Sequence, residues 1–127
     1  KNLQILDDDI HLRADLKLVD GEPMLCLYDK DGNARVHLTL TEGEPSLDFF
    51  NDEGITQLRL KLFNGNPGVL LYDENEVYRA NLSLTSGKPW LSFKDGNGVL
   101  QLKLDSGLTG PLGLAIYDSD GTNSYFP

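Results

Sequence analysis

Proline recurs at Pro23, Pro45, Pro67, Pro89 and Pro111, 22 residues apart at every step. Glycine precedes the first four by two positions, at Gly21, Gly43, Gly65 and Gly87; in the fifth copy Gly110 stands directly before Pro111. Six residues after the first four prolines come Asp29, Asn51, Asp73 and Asp95, and nine after come Gly32, Gly54, Glu76 and Gly98. A fixed period of this length marks a repeat architecture, in which each unit is one supersecondary element. Lys1 falls in the phase of a missing proline, and Leu3, Ile5, Asp7 and Arg13 continue the pattern backwards. The chain therefore reads as one domain, 1–127, with units 1–22, 23–44, 45–66, 67–88 and 89–110 and a partial cap 111–127. It opens without a methionine or a signal peptide, as expected of a processed or trimmed product.

Each unit holds two short runs in which apolar and polar residues alternate, for example Leu25, Leu27 and then Val36, Leu38, Leu40. Period two over such runs predicts half-buried strands. Leucine, with 24 copies against nine Val plus Ile, favours helix on propensity alone. Gly and Pro in every unit leave no room for helices of normal length, so the pattern prevails. Pairing Leu27 with Val36 leaves Asp31-Gly32 as a two-residue tip, and Glu53-Gly54, Asn75-Glu76, Asn97-Gly98 and Asp120-Gly121 follow. Asp-Gly and Asn-Gly predict type I′ hairpins, with Asn75-Glu76 strained or longer. At the opposite end, pairing Leu40 with Leu47 puts Gly43-Glu44 at the tip, with Pro45 forcing a looser four-residue turn.

The expected fold is all-β: an antiparallel meander of 22-residue hairpins with about ten or eleven strands. One continuous apolar face has to be buried. Closure into an up-and-down barrel does this and removes the sheet edges. A rolled sheet or flattened sandwich is the second solution, and a β-solenoid the third.

The 11 Lys+Arg against 20 Asp+Glu give a net charge of −9, which argues against nucleic acid as partner. No apolar run approaches the length of a membrane helix. On the outward face Tyr28, Phe50 and Tyr72 oppose Arg35, Gln57 and Arg79, with Trp90 nearby. This set is a candidate platform for a sugar or a protein, with Tyr28–Arg35 and Tyr72–Arg79 as cation–π pairs. Ordinary sheet stabilisation accounts for the same residues. Inward Leu27, Phe49, Leu71 and Phe93 would line any pocket for an apolar ligand. Tyr117, Tyr125 and Phe126 in the last unit are candidates for an assembly edge. Asp7-Asp8-Asp9, Asp29/Asp31 and Asp118/Asp120 lack EF-hand spacing and read as turn residues, so no metal and no cofactor are expected. His11 and His37 sit at different phases and nothing in the sequence lowers the thiol pKa of Cys26, so no enzyme is expected.

The run from Gly21 to Leu40, Gly-Glu-Pro-Met-Leu-Cys-Leu-Tyr-Asp-Lys-Asp-Gly-Asn-Ala-Arg-Val-His-Leu-Thr-Leu, resembles a β-hairpin repeat common in uncharacterised bacterial proteins. Its form is Gly-x-Pro-x-Leu-x-Leu-x-Asp-x-x-Gly-x-x-Arg followed by alternating leucines. The departures are Glu76 for glycine, Gln57 and Gln101 for arginine, and the shifted last unit. The resemblance implies a location at the cell surface or outside the cell, and it carries no catalytic residue. The expected function is a non-catalytic module for protein interaction or self-assembly, its partner being a second copy or another protein. A barrel binding a lipid or other apolar small molecule, and a carbohydrate-binding module on the Tyr/Arg face, are the alternatives.

Overall fold

The computed structural model describes residues 2–105, 113–117 and 123–126. They form twelve strands: β1 (Leu3–Leu6), β2 (Leu12–Val19), β3 (Glu22–Tyr28), β4 (Ala34–Thr41), β5 (Glu44–Phe50), β6 (Thr56–Phe63), β7 (Asn66–Tyr72), β8 (Tyr78–Thr85), β9 (Lys88–Lys94), β10 (Leu100–Asp105), β11 (Gly113–Tyr117) and β12 (Asn123–Phe126). All twelve lie in one antiparallel sheet in chain order, so the meander is confirmed. Among the described residues each strand packs only against its neighbours in that order, which makes the sheet a single layer.

The two kinds of hairpin tip differ from the expected ones, and each for a local reason. At the aspartate end the Gly32 N–H donates to the Asp29 carbonyl and the Asp29 N–H to the Asn33 carbonyl. Only Gly32 has positive φ there, and the register slips between Leu27 and Tyr28. This is a type I turn closed by a left-handed residue in a bulge, not the expected type I′. The aspartate explains the choice: Asp29 Oδ1 accepts the N–H of Asp31 and of Asn33, both at 2.9 Å, which holds the turn from inside. Asn51, Asp73 and Asp95 repeat this geometry. The expected Asp120-Gly121 tip lies outside the described residues.

At the proline end the tips are Asp20-Gly21, Glu42-Gly43, Asn64-Gly65 and Ser86-Gly87, with positive φ at both positions of each. These are the type I′ loops. The expected Gly43-Glu44 tip is thus off by one residue, and Leu40 pairs with Pro45 rather than with Leu47. Proline is tolerated because its missing N–H points to the following strand, where the ladder simply starts one residue later, at Ser46↔Lys61.

The left-handed position of the aspartate turn is held by Gly32, Gly54 and Gly98, but by Glu76 in one turn and by Ile10 in another, at φ 57° and 67°. A β-branched residue suffers most there. Ile10→Gly is expected to stabilise the fold by about 1 kcal/mol, and Glu76→Gly by less, the gain being trimmed by glycine's extra chain entropy. Urea midpoints of the two variants check the order.

Each position recurs 22 residues later on the next strand but one, so rows of side chains run straight across the sheet. One face carries three apolar rows. The first runs from Ile5 through Leu27, Phe49 and Leu71 to Phe93, and the second from Leu3 through Leu16, Leu38 and Leu60 to Leu82. The third alternates Leu18, Pro23, Leu40, Pro45, Leu62 and Pro67. The rolled-sheet alternative, not the barrel, describes the result: β1 and β12 are edges that do not pair, so β12 adds to the sheet without closing it. A barrel needs a fixed stagger between tilted strands. Hairpins of equal arms add none, and the rows stay level. The solenoid is excluded by the antiparallel order of neighbours.

Candidate functional site

The face opposite the leucines covers itself. Its central row reads Asp15, Cys26, His37, Asp48, Arg59, Leu70, Asn81 and Ser92, one residue from each of β2 to β9. Most of these are short, and longer side chains on either side lie over them. Cys26 is 1% exposed, and Asp15, Asp48, Leu70 and Ser92 are also buried. Lys17 Nζ stands 3.2 Å from Asp15, whose Oδ1 also accepts from the Tyr28 hydroxyl at 3.4 Å. Asp48 takes the Arg59 guanidinium through two bonds, of 2.6 and 3.1 Å, and the Ser46 hydroxyl at 3.0 Å. His37 meets the Phe50 ring edge-on at 4.7 Å. Phe63 lies over Gly68, 3.3 Å from where a side chain would begin, and Lys61 caps the same ring. The long side chains thus lay their stems on the sheet and keep their charged ends in water.

Cys26, His37 and Asp48 sit side by side on adjacent strands, a set of residue types that elsewhere makes a nucleophile. The environment does not support that chemistry. Burial pushes the Cys26 thiol pKa above its ordinary value, and a buried thiol with a raised pKa is inert. Burial, with nearby Lys17 adding to it, lowers the His37 pKa, which disfavours the imidazolium that would stabilise a neighbouring thiolate. Asp48 is engaged by Arg59 rather than by His37.

The anticipated platform residues all lie on this face or at its turns, but their partners differ. Arg35 pairs with Asp29 at 3.5 Å and with Asp52 of the next turn. Arg79 bonds Asp73 through Nε at 2.6 Å and reaches the carbonyls of Asp95 and Gly96. Arg13 does the same with Asp7 and the Asp29 carbonyl. In these three units the guanidinium therefore ties one turn to the next. The aspartate six residues earlier attracts it more strongly than the neighbouring ring, because a charge-assisted bond outweighs a partly exposed cation–π contact. Tyr72 instead receives Arg59 at 5.7 Å, and Trp90 receives Lys103 at 4.5 Å. Gln57 donates to the Thr56 carbonyl, at 3.4 Å. The signal for the clamp was present in the sequence as the constant spacing of Asp7–Arg13, Asp29–Arg35 and Asp73–Arg79.

The leucine face has no such cover. Leu16, Leu27, Leu38, Leu71 and Phe93 are all exposed, and Leu82 is 53% exposed. The second and third apolar rows shape an open groove of about 550 Å³ lined by Leu38, Leu47, Leu60, Val69 and Leu82 with Pro45, Pro67 and Pro89. Leu27, Phe49, Leu71 and Phe93, the anticipated pocket residues, form the adjoining row and stand outside the groove. Of the anticipated assembly edge, Tyr117 ends β11 and Tyr125 and Phe126 belong to β12; their side chains lie outside the described residues.

Among the described residues no group of three or more His, Cys, Asp or Glu converges as metal ligands would. Asp7, Asp29, Asp73 and Asp95 spend one carboxylate oxygen on their own turn's backbone and the other on an Arg, Asn or Gln side chain. No helix of the described residues is long and apolar enough to cross a membrane. No protein-family model matches the chain, and no curated protein is significantly similar to it.

Proposed function

We propose that this chain is a non-catalytic interaction module and that the leucine face is its working surface. The observation that carries the reading is the contrast between the two faces of one layer. One face is sealed by its own lysine, arginine and aromatic side chains; the other presents three rows with no polar side chain and no cover. Apolar patches on soluble monomers seldom exceed roughly 300–600 Å², and larger ones mark interaction sites. Taking about 4.8 Å between strands and about 6.7 Å between residues two apart, ten strands and three rows span on the order of 950 Å². The resemblance of the repeat to bacterial β-hairpin repeats favours work at the cell surface or outside the cell.

The groove favours a second reading, in which an apolar small molecule or lipid lies along Leu38, Leu60 and Leu82. The carbohydrate reading is weaker, because Arg35 and Arg79 are occupied by aspartates and backbone carbonyls.

Native mass spectrometry of the purified chain and of Leu82→Lys tests the surface. The wild type is expected to carry something on the face, either another chain or an apolar adduct. The variant should lose it while its far-UV circular dichroism stays β. Identical bare monomers from both would refute the reading.

A further inference from the structure

The leucine face has properties that decide between occupants. Its three rows hold only Leu, Ile, Val, Phe, Ala and Pro, so they offer no charge or hydrogen bond by which a different protein would be chosen. Specific contacts between unlike partners use placed polar groups and complementary charge. What the face does carry is a lattice: one apolar side chain from every strand along each row, with the 22-residue repeat returning on every second strand. Rotated by 180° about an axis in its own plane, such a lattice meets itself in matching spacing. Two sheets packed this way sit about 10 Å apart with their side chains interleaved. The area also fits, since a face of about 950 Å² exceeds the roughly 800 Å² per partner of a stable interface.

From this we infer that the occupant of the leucine face is a second copy of this chain, stacked face to face as a two-layer sandwich about a two-fold axis. The inference rests on the reading of the leucine face as the working surface and names its partner. Stacking leaves both lysine- and arginine-covered faces in solvent, with the acidic turns on the rim. Each copy brings a net charge of −9, so the two repel at low salt and associate more tightly as salt screens them.

Analytical ultracentrifugation at equilibrium, from micromolar to near-millimolar protein, measures the outcome. The wild type is expected to be a dimer whose dissociation constant falls severalfold between low and high NaCl. Leu60→Lys, in the middle row, should weaken the dimer by at least about 100-fold, because an ammonium is then buried without a partner. Gln4→Pro removes an outward N–H from the free edge of β1 and serves as the second variant. It should leave face-to-face dimers unchanged and abolish any dimer built by strand addition through β1, as Tyr125→Pro does at the free edge of β12. A dimer lost in Gln4→Pro and kept in Leu60→Lys overturns the stacking. A wild-type monomer holding an apolar adduct that Leu60→Lys releases also overturns it, while leaving the leucine face as the working surface. Insensitivity of both mass and adducts to Leu60→Lys overturns that reading as well. If Leu60→Lys loses its β spectrum, the salt dependence and the two edge variants still decide, since an edge dimer through β1 fails in Gln4→Pro and one through β12 fails in Tyr125→Pro.

Discussion

Arg59→Met is expected to lower unfolding stability by about 2–3 kcal/mol, read as a shift of the urea midpoint at fixed protein concentration. Asp48 is 8% exposed and its carboxylate is held by Arg59 through two bonds, at 2.6 and 3.1 Å. Removing the guanidinium leaves a buried charge with only the Ser46 hydroxyl to solvate it. Arg59 itself is about a third exposed, at 32%, so water softens the loss below that of a fully buried pair. The double variant Asp48→Leu/Arg59→Met removes both charges and is expected to recover most of the stability. Leu70 already occupies the next place in the same row, which shows that the row accepts an aliphatic side chain. The two single losses therefore should not add. A double variant as unstable as the sum of the singles would mean that the pair does not act as a unit.

Acid is expected to loosen the aspartate turns first. The pKa of Asp7 lies below the ordinary 3.8, chiefly because the His11 backbone N–H bonds its carboxylate, with Arg13 adding to this. Asp29 is lowered first by the Asn33 N–H. At Asp73 desolvation works upward, and the Val77 N–H, Arg79 and the Asn75 N–H together outweigh it. A carboxyl whose folded pKa is depressed binds protons more readily when unfolded. Its contribution is therefore complete above the unfolded value near 3.8 and drains away as pH falls through the lower folded values. The triple variant Asp7→Asn/Asp29→Asn/Asp73→Asn isolates this. Asn51 shows that an amide keeps both turn bonds, at 3.0 and 2.9 Å. The variant is expected to be less stable than the wild type at neutral pH and to lose less stability between pH 5 and pH 2. Parallel acid profiles for the two proteins would contradict the assignment.

Much of this protein was legible in the spacing of its residues. The alternation of Leu25, Leu27, Val36 and Leu38 is a periodicity of two, and the tie between periodicity and strand faces is steric. The register Leu27↔Val36 also follows from the sequence, because a slip of one residue would turn every leucine to the wrong side. The tips were less legible. Asp31-Gly32 suits a type I′ turn as a dipeptide, yet Asp29, two residues earlier, supplies a carboxylate that holds a type I turn with a bulge. The clamp of Arg79 on Asp73 and the next turn showed in the sequence only as a constant spacing, for a similar reason. A cross-strand neighbour can be found by arithmetic, but the preference of a guanidinium for a carboxylate and carbonyls across a bulge depends on reach in three dimensions.

The sequence by itself determined the repeat, the antiparallel order and the division into a leucine face and a polar face, because these rest on local rules that act within one hairpin. Whether the sheet closes, and which face finds cover, was left to the tertiary structure. Those outcomes depend on sums over all twelve strands. Equal hairpin arms add up to level rows and an open sheet, and long side chains from neighbouring strands meet over the row from Asp15 to Ser92 and seal it. No single repeat contains enough surface to decide either.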